Sequence, residues 1–159
     1  MDHDYHCRVT WTGNLGDGTR EYRGYRRDHT IEFVGKPPIL ASSGLSPRSD
    51  PARVNPDELL LAALASCHML WYLHVCSEAG VTVVAYSDAA EATMATGPDG
   101  SGRFTRATLR PQVTIASGSP EVARRLHEDA HRRCFIANSV NFPVACEPTI
   151  ERVPPSGGT

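Results

Sequence analysis

Apolar and polar positions change rhythm several times along this chain, and each change marks an element. From Tyr5 to Thr12 they alternate, with β-branched and aromatic residues among them, which predicts a strand. Gly13 to Gly18, GNLGDG, is a turn cluster. Arg20 to Arg27, dense in Arg and Tyr, predicts a second strand, and His29 to Val34 a third, which together make an antiparallel meander. Lys36 to Val54 holds four prolines, four serines and one glycine without periodicity. It reads as a long irregular loop, and a loop of that length in a small domain is commonly functional.

The pattern then changes completely. In NPDELLLAALASCHMLWYLHVC, Asn55 can cap a helix and Pro56 suits its first position, where a missing N–H is no loss. Asp57 and Glu58 place negative charge at the positive end of the helix dipole. From Leu59 to Cys76 the run is apolar on every face, over 18 residues. Such a helix is buried in a protein or inserted in a bilayer. Two histidines, two cysteines and a serine, on a run this short, point to burial in a protein.

Gly80 is a natural helix stop. Val81 to Met94 predicts a strand that bends near its middle, Thr96 to Gly102 a hairpin connection, and Phe104 to Ala116 the returning strand. Pro111 marks an edge or a bulge in it. Ser119-Pro120-Glu121 opens a second helix by the same capping logic, running to about Arg133 with Val122, Leu126 and Ala130 on one stripe. Cys134 to Asn141 predicts a short helix and Val144 to Val153 a closing strand.

No repeat and no linker divides the chain, so residues 1–153 are expected to form one domain, with 154–159 a disordered tail. The order of elements predicts an α+β fold, antiparallel sheets around a long buried central helix. One modest sheet covers one side of a helix, whereas this helix needs cover on all sides. The expected cover is the same helix of a second copy, in an intertwined homodimer.

The chain has 159 residues and a formal net charge of -2, a balance that predicts neither nucleic acid nor a membrane surface as partner. The amino-terminal stretch MDHDYHCRVTW is too polar for a signal peptide. Five cysteines without an export signal point to a reducing cytoplasm. There is no CxxC, which argues against a ribbon-type zinc site.

NPDELLLAALASC resembles the motif N-P-E-x-L-x-x-A-x-x-x-C of the Ohr/OsmC peroxiredoxins, with Asn55, Pro56, Leu59, Ala63 and Cys67 in register. Cys134 follows after two strands and a helix, as a second cysteine does in that family, and the order of elements matches from about Tyr5 to Val153. Asp57 stands where the family has Glu, and Cys134 is followed by Phe135, Ile136 and Ala137 in place of the frequent C-P-x-S. The chain therefore resembles a divergent OsmC-like branch.

That resemblance implies a cysteine-based thiol peroxidase acting on organic hydroperoxides, with Cys67 peroxidatic and Cys134 resolving. A dithiol reductant would recycle it, and neither metal nor cofactor would be needed. The chemistry agrees. The attacking species is a thiolate, stabilised by a nearby cation, and it is oxidised to a sulfenic acid that a second thiol condenses to a disulfide. A carboxylate and an arginine complete the family's site. The carboxylate falls on Asp57. Asp57 and Cys67 are ten residues apart, about 15 Å along one straight helix, so either the helix begins after Asp57 or Asp57 serves the partner's thiol; otherwise it only caps the helix. For the arginine, Arg20, Arg23, Arg26 and Arg27 form one group and Arg48 and Arg53 another; Arg23 and Arg48 are the leading candidates.

The rival expectation is a zinc site. His127, His131 and Cys134 are spaced i, i+4 and i+7 on one helix face, and Cys67 could complete a Cys2His2 set. A non-catalytic, dimeric thiol sensor is the third reading. His68 and His74 read as core histidines, and Cys7, Cys76 and Cys146 as non-catalytic.

Overall fold

Asn55 starts the long helix α1 (Pro56–Glu78) from both sides of its own backbone. In the computed structural model, which describes residues 2–44 and 46–153, Asn55 Oδ1 accepts the backbone N–H groups of Asp57 and Glu58, each at 2.9 Å. Glu58 Oε2 accepts the Asn55 N–H in return at 3.0 Å, a reciprocal capping box. At the far end Gly80 takes φ 71°, and the Val81 N–H reaches back to the Cys76 carbonyl at 2.9 Å. This closes the last carbonyls with a conformation that favours glycine. The expected tail 154–159 lies outside the described residues.

The chain packs as two compact units, one up to Leu60 and one from Leu61. In the first, β1 (Arg8–Trp11), β2 (His29–Glu32) and β3 (Ile39–Ala41) form an antiparallel sheet in that order. Two expectations need correction. Arg20 to Arg27 is a series of turns, not a strand. Arg27 folds back over the rings of Tyr22 and Tyr25 and donates to both their carbonyls, at 2.7 and 2.6 Å, so these groups are not available to a neighbouring strand. Conversely, the presumed irregular loop contains β3, whose Ala41 is fully buried and whose Ile39 pairs with Ile31. Three residues behind two prolines give too little pattern to read.

In the second unit the two long strands foreseen after α1 are each divided. The first gives β4 (Thr82–Asp88) and β5 (Glu91–Thr96), the second β6 (Gly102–Leu109) and β7 (Pro111–Ser117). The breaks face each other: Asp88 Oδ1 accepts the Arg110 N–H at 2.7 Å, and the Arg110 side chain bonds Glu91 and Glu147. Pro111 sits at neither an edge nor a bulge. It begins β7, the middle strand of its sheet, where a first residue needs no ladder N–H. The predicted helix follows as α2 (Pro120–Arg133), capped by Ser119, whose Oγ accepts from the Val122 N–H at 3.3 Å. A single 3-10 turn, Ala137–Ser139, replaces the expected short helix. The closing strand is also two, β8 (Val144–Cys146) and β9 (Thr149–Arg152).

The sheets run β4-β7-β9 and β5-β6-β8. β4–β7 and β5–β6 are antiparallel as expected, whereas β6–β8 and β7–β9 are parallel, so the sheets are mixed. α2 supplies the crossover that a parallel pair requires. Tyr72, Val75 and Cys76 of α1 pack with Val113 and Ile115 of β7 and with Ala123, Leu126 and Ala130 of α2. The Tyr72 hydroxyl donates to the Ala123 carbonyl at 3.1 Å. α1 has 23 residues, and an 18-residue stretch of it has a mean hydropathy of 1.7, long and apolar enough to cross a membrane, yet its buried stripe belongs to this core.

That stripe is Leu64, His68, Tyr72, Val75 and Cys76. The other side of the helix is uncovered within one chain, with Leu70 63% and Leu73 36% exposed, as expected where one sheet covers one side.

Candidate functional site

Two thiols meet where α1 passes the end of α2. Cys67 lies half-buried in the middle of α1. Cys134 is the C-cap of α2, and its extended backbone turns the chain off the helix axis. The Cys134 side chain is 1% exposed and lies close enough to the Cys67 thiol for the two to influence each other's ionisation. Its Sγ also accepts the Ala137 N–H at 3.4 Å. Burial pushes the Cys134 thiol up to about 11, partly offset by that N–H, with the neighbouring Cys67 thiol adding to the rise. Cys134 is thus a protonated thiol held against Cys67.

Aromatic side chains flank the pair. Trp71 follows Cys67 by one helical turn and so shares its face. Phe135 follows Cys134, and the two rings meet edge to face at 5.5 Å. The Arg133 guanidinium stands 5.8 Å from the Trp71 ring centre and pairs with Glu78 at 3.3 Å. Arg133 stands directly before Cys134 in the sequence.

The remaining candidates lie in the first unit. Asp57 is half-buried in the first turn of α1, where it lines a cleft with Arg27, His29 and Ser42. α1 is unbroken from Pro56, so the helix does not begin after Asp57. Arg23 is exposed among the turns before β2, and Arg48 is exposed in the loop before α1 with a left-handed φ of 60°. Neither lines the Asp57 cleft; Arg27 does.

The four residues of the rival zinc set are divided between two places. Cys67 and Cys134 face each other, whereas His127 turns to His68 of α1 and Cys146 of β8. His127 Nδ1 is 2.9 Å from His68 Nε2, and Cys146 Sγ is 3.6 Å from the His68 nitrogen and 3.8 Å from that of His127. Tyr72 stacks on His127 at 3.8 Å between ring centres. Burial lowers both imidazoles, His68 to about 4 and His127 to about 3, so both are neutral at neutral pH. Among the described residues this is the cluster whose donor atoms converge on one point. The sequence separations are too long for any spacing rule to have found it.

A sequence model of the family described as OsmC-like protein matches residues 49–149. The chain is similar to the solved structure of an OsmC-like protein of unknown function from Vibrio cholerae, at 34% identity and a TM-score of 0.83, over 93% of this chain and 100% of that one. More distant folds include an organic hydroperoxide resistance protein from Elizabethkingia anophelis, 17% identical with a TM-score of 0.63 over 96% and 100% of the two chains. Another is the organic hydroperoxide resistance protein OhrB of Bacillus subtilis, 18% identical with a TM-score of 0.60 over 91% and 98%. At that identity the likeness establishes the fold alone. No curated protein matches the chain.

Proposed function

Because the chain belongs to the OsmC-like family, we propose that it is a cysteine-based peroxidase that reduces organic hydroperoxides to alcohols. One observation carries this reading: half-buried Cys67 and buried Cys134, far apart in sequence, are brought together as neighbouring free thiols. In the first step the Cys67 thiolate attacks the terminal oxygen of ROOH. The S–O bond forms as the O–O bond breaks, and the leaving alkoxide takes a proton to become the alcohol. Cys67 is now a sulfenic acid. The sulfur of Cys134 then attacks the Cys67 sulfur and gives up its proton, hydroxide leaves as water, and a disulfide remains. A dithiol reductant opens it by two thiol exchanges.

The thiolate of Cys67 needs a cation. Arg23 and Arg48 are the sequence candidates, and Arg27 joins them because it shares the Asp57 cleft. We take the Asp57 cleft of one chain to serve the Cys67 of a second copy in a homodimer. All five cysteines are free thiols, which suits a reducing cytoplasm.

The test is steady-state reduction of cumene hydroperoxide with a dithiol supplied. Sustained turnover that disappears in Cys67→Ser is expected. A single stoichiometric oxidation without turnover would mark a thiol sensor instead, and full activity in Cys67→Ser would remove Cys67 from the chemistry.

A further inference from the structure

We propose that His68, His127 and Cys146 form a zinc(II) site, separate from the Cys67–Cys134 pair and with its fourth position open to solvent. Three elements, α1, α2 and β8, each deliver one donor, and all the donor atoms lie within 4.8 Å of one another. Tetrahedral zinc with bonds of about 2.0–2.1 Å to nitrogen and about 2.3 Å to sulfur sets its ligand atoms roughly 3.3 to 3.6 Å apart. The sulfur-to-nitrogen distances of 3.6 and 3.8 Å fit that frame, and the nitrogen-to-nitrogen distance of 2.9 Å opens by under half an ångström. A set of two imidazoles and one thiolate is zinc's own chemistry, and too soft for magnesium or calcium.

The bland alternative is a hydrogen-bonded pair of core histidines. It accounts for the rings poorly. Whichever imidazole donates across the 2.9 Å contact, the accepting ring's outward nitrogen, His127 Nε2 or His68 Nδ1, is a buried N–H without an acceptor. It also assigns nothing to a sulfur lying close to both facing nitrogens. In the zinc form both outward nitrogens carry protons, so what favours the metal is the sulfur set beside both facing nitrogens. Cys146 binds as thiolate, and its proton passes to solvent.

One side of the cluster is open. His127 and Cys146 line a cleft that Glu128 and His131 also border. Three protein ligands and an accessible fourth place are the pattern of a zinc ion that holds a water, not of a closed structural site.

The experiment uses the full chain, reduced and stripped of metal, titrated with cobalt(II) as a spectroscopic stand-in and then with zinc. One cobalt per chain with a thiolate-to-metal charge-transfer band is expected, displaced by zinc. Cys146→Ser loses the band and weakens zinc binding by more than about 100-fold, since even outer partners of a ligand are worth 10- to 100-fold. Cys67→Ser and Cys134→Ser keep both. His127→Gln repeats the loss should Cys146→Ser fail to fold. In the unaltered protein, zinc at about 100 times its dissociation constant raises the melting temperature by roughly 5–10 °C. Absence of saturable binding, a band that survives in Cys146→Ser, or a band that vanishes in Cys67→Ser would each overturn the site.

Discussion

Trp71 and Phe135 meet at right angles, 88° between ring planes, although one belongs to a helix and the other follows the cap of a different helix. Each stands beside one member of the thiol pair, and Phe135 is 66% exposed. The two rings therefore place apolar surface beside the thiols.

Such a surface selects for substrate size. It gains roughly 0.8 kcal/mol for each methylene removed from water, and three or four carbons give about 2–3 kcal/mol. Hydrogen peroxide gains nothing. We expect the rate constant for oxidation by cumene hydroperoxide to exceed that for hydrogen peroxide by about 30- to 200-fold. Phe135→Ala should reduce the ratio by roughly tenfold. Stopped-flow measurement of both peroxides decides it, and equal constants would show that the rings are only packing.

The two thiols separate into two steps. In Cys134→Ser the first oxidation should keep its rate, and multiple turnover should stop, because the sulfenic acid has no thiol to condense with. Mass spectrometry should then find Cys67 as sulfenic acid and, with excess peroxide, as sulfinic acid. Undiminished turnover with the same reductant would take the resolving role away from Cys134.

Burial holds Cys134 near 11, and this has a sign that can be read with an alkylating agent. A raised value keeps the thiol protonated at neutral pH, and the reactive thiolate fraction grows about tenfold per pH unit until pH approaches 11. Labelling of Cys134 by iodoacetamide in the reduced protein should rise roughly 100-fold between pH 7 and 9. A rate that levels off below pH 8 would contradict the burial argument.

The exposed side of α1 carries the dimer expectation. Leu70 and Leu73 leave apolar surface uncovered within one chain. Light scattering should give twice the chain mass at micromolar concentration. Leu70→Glu should shift it to the monomer while the circular dichroism is unchanged. A folded monomer in the unaltered protein would refute the dimer.

Features governed by neighbours in sequence could be read from it. The caps at Asn55 and Ser119 and the glycine stop at Gly80 act within one turn, and they stand as expected. The register of Cys67 came from a local motif. What escaped depends on distant partners. Nothing near Arg27 announces that it will fold over two tyrosines and take their carbonyls. The division of the long strands depends on Asp88 and Arg110 finding each other across a turn of the chain. Parallel pairing of β8 with β6 and of β9 with β7 leaves no trace in alternation, which is the same for either direction. The meeting of His68 with His127 and Cys146 exists only once two helices and a strand have packed.

The parallel pairs also set an order of assembly. β5 and β6 close over the short excursion from Thr96 to Gly102, whereas β7 and β9 close over the one from Ser117 to Thr149. The longer loop costs about 1.6 kcal/mol more entropy to close. The hairpins can therefore form while the chain is still leaving the ribosome, and β8 and β9 join last. Until then α2 has no β9 to pack on, and the core around Tyr72, Val113 and Ala123 lacks Ile150 and stands open to the chaperones and neighbouring chains of a crowded cell.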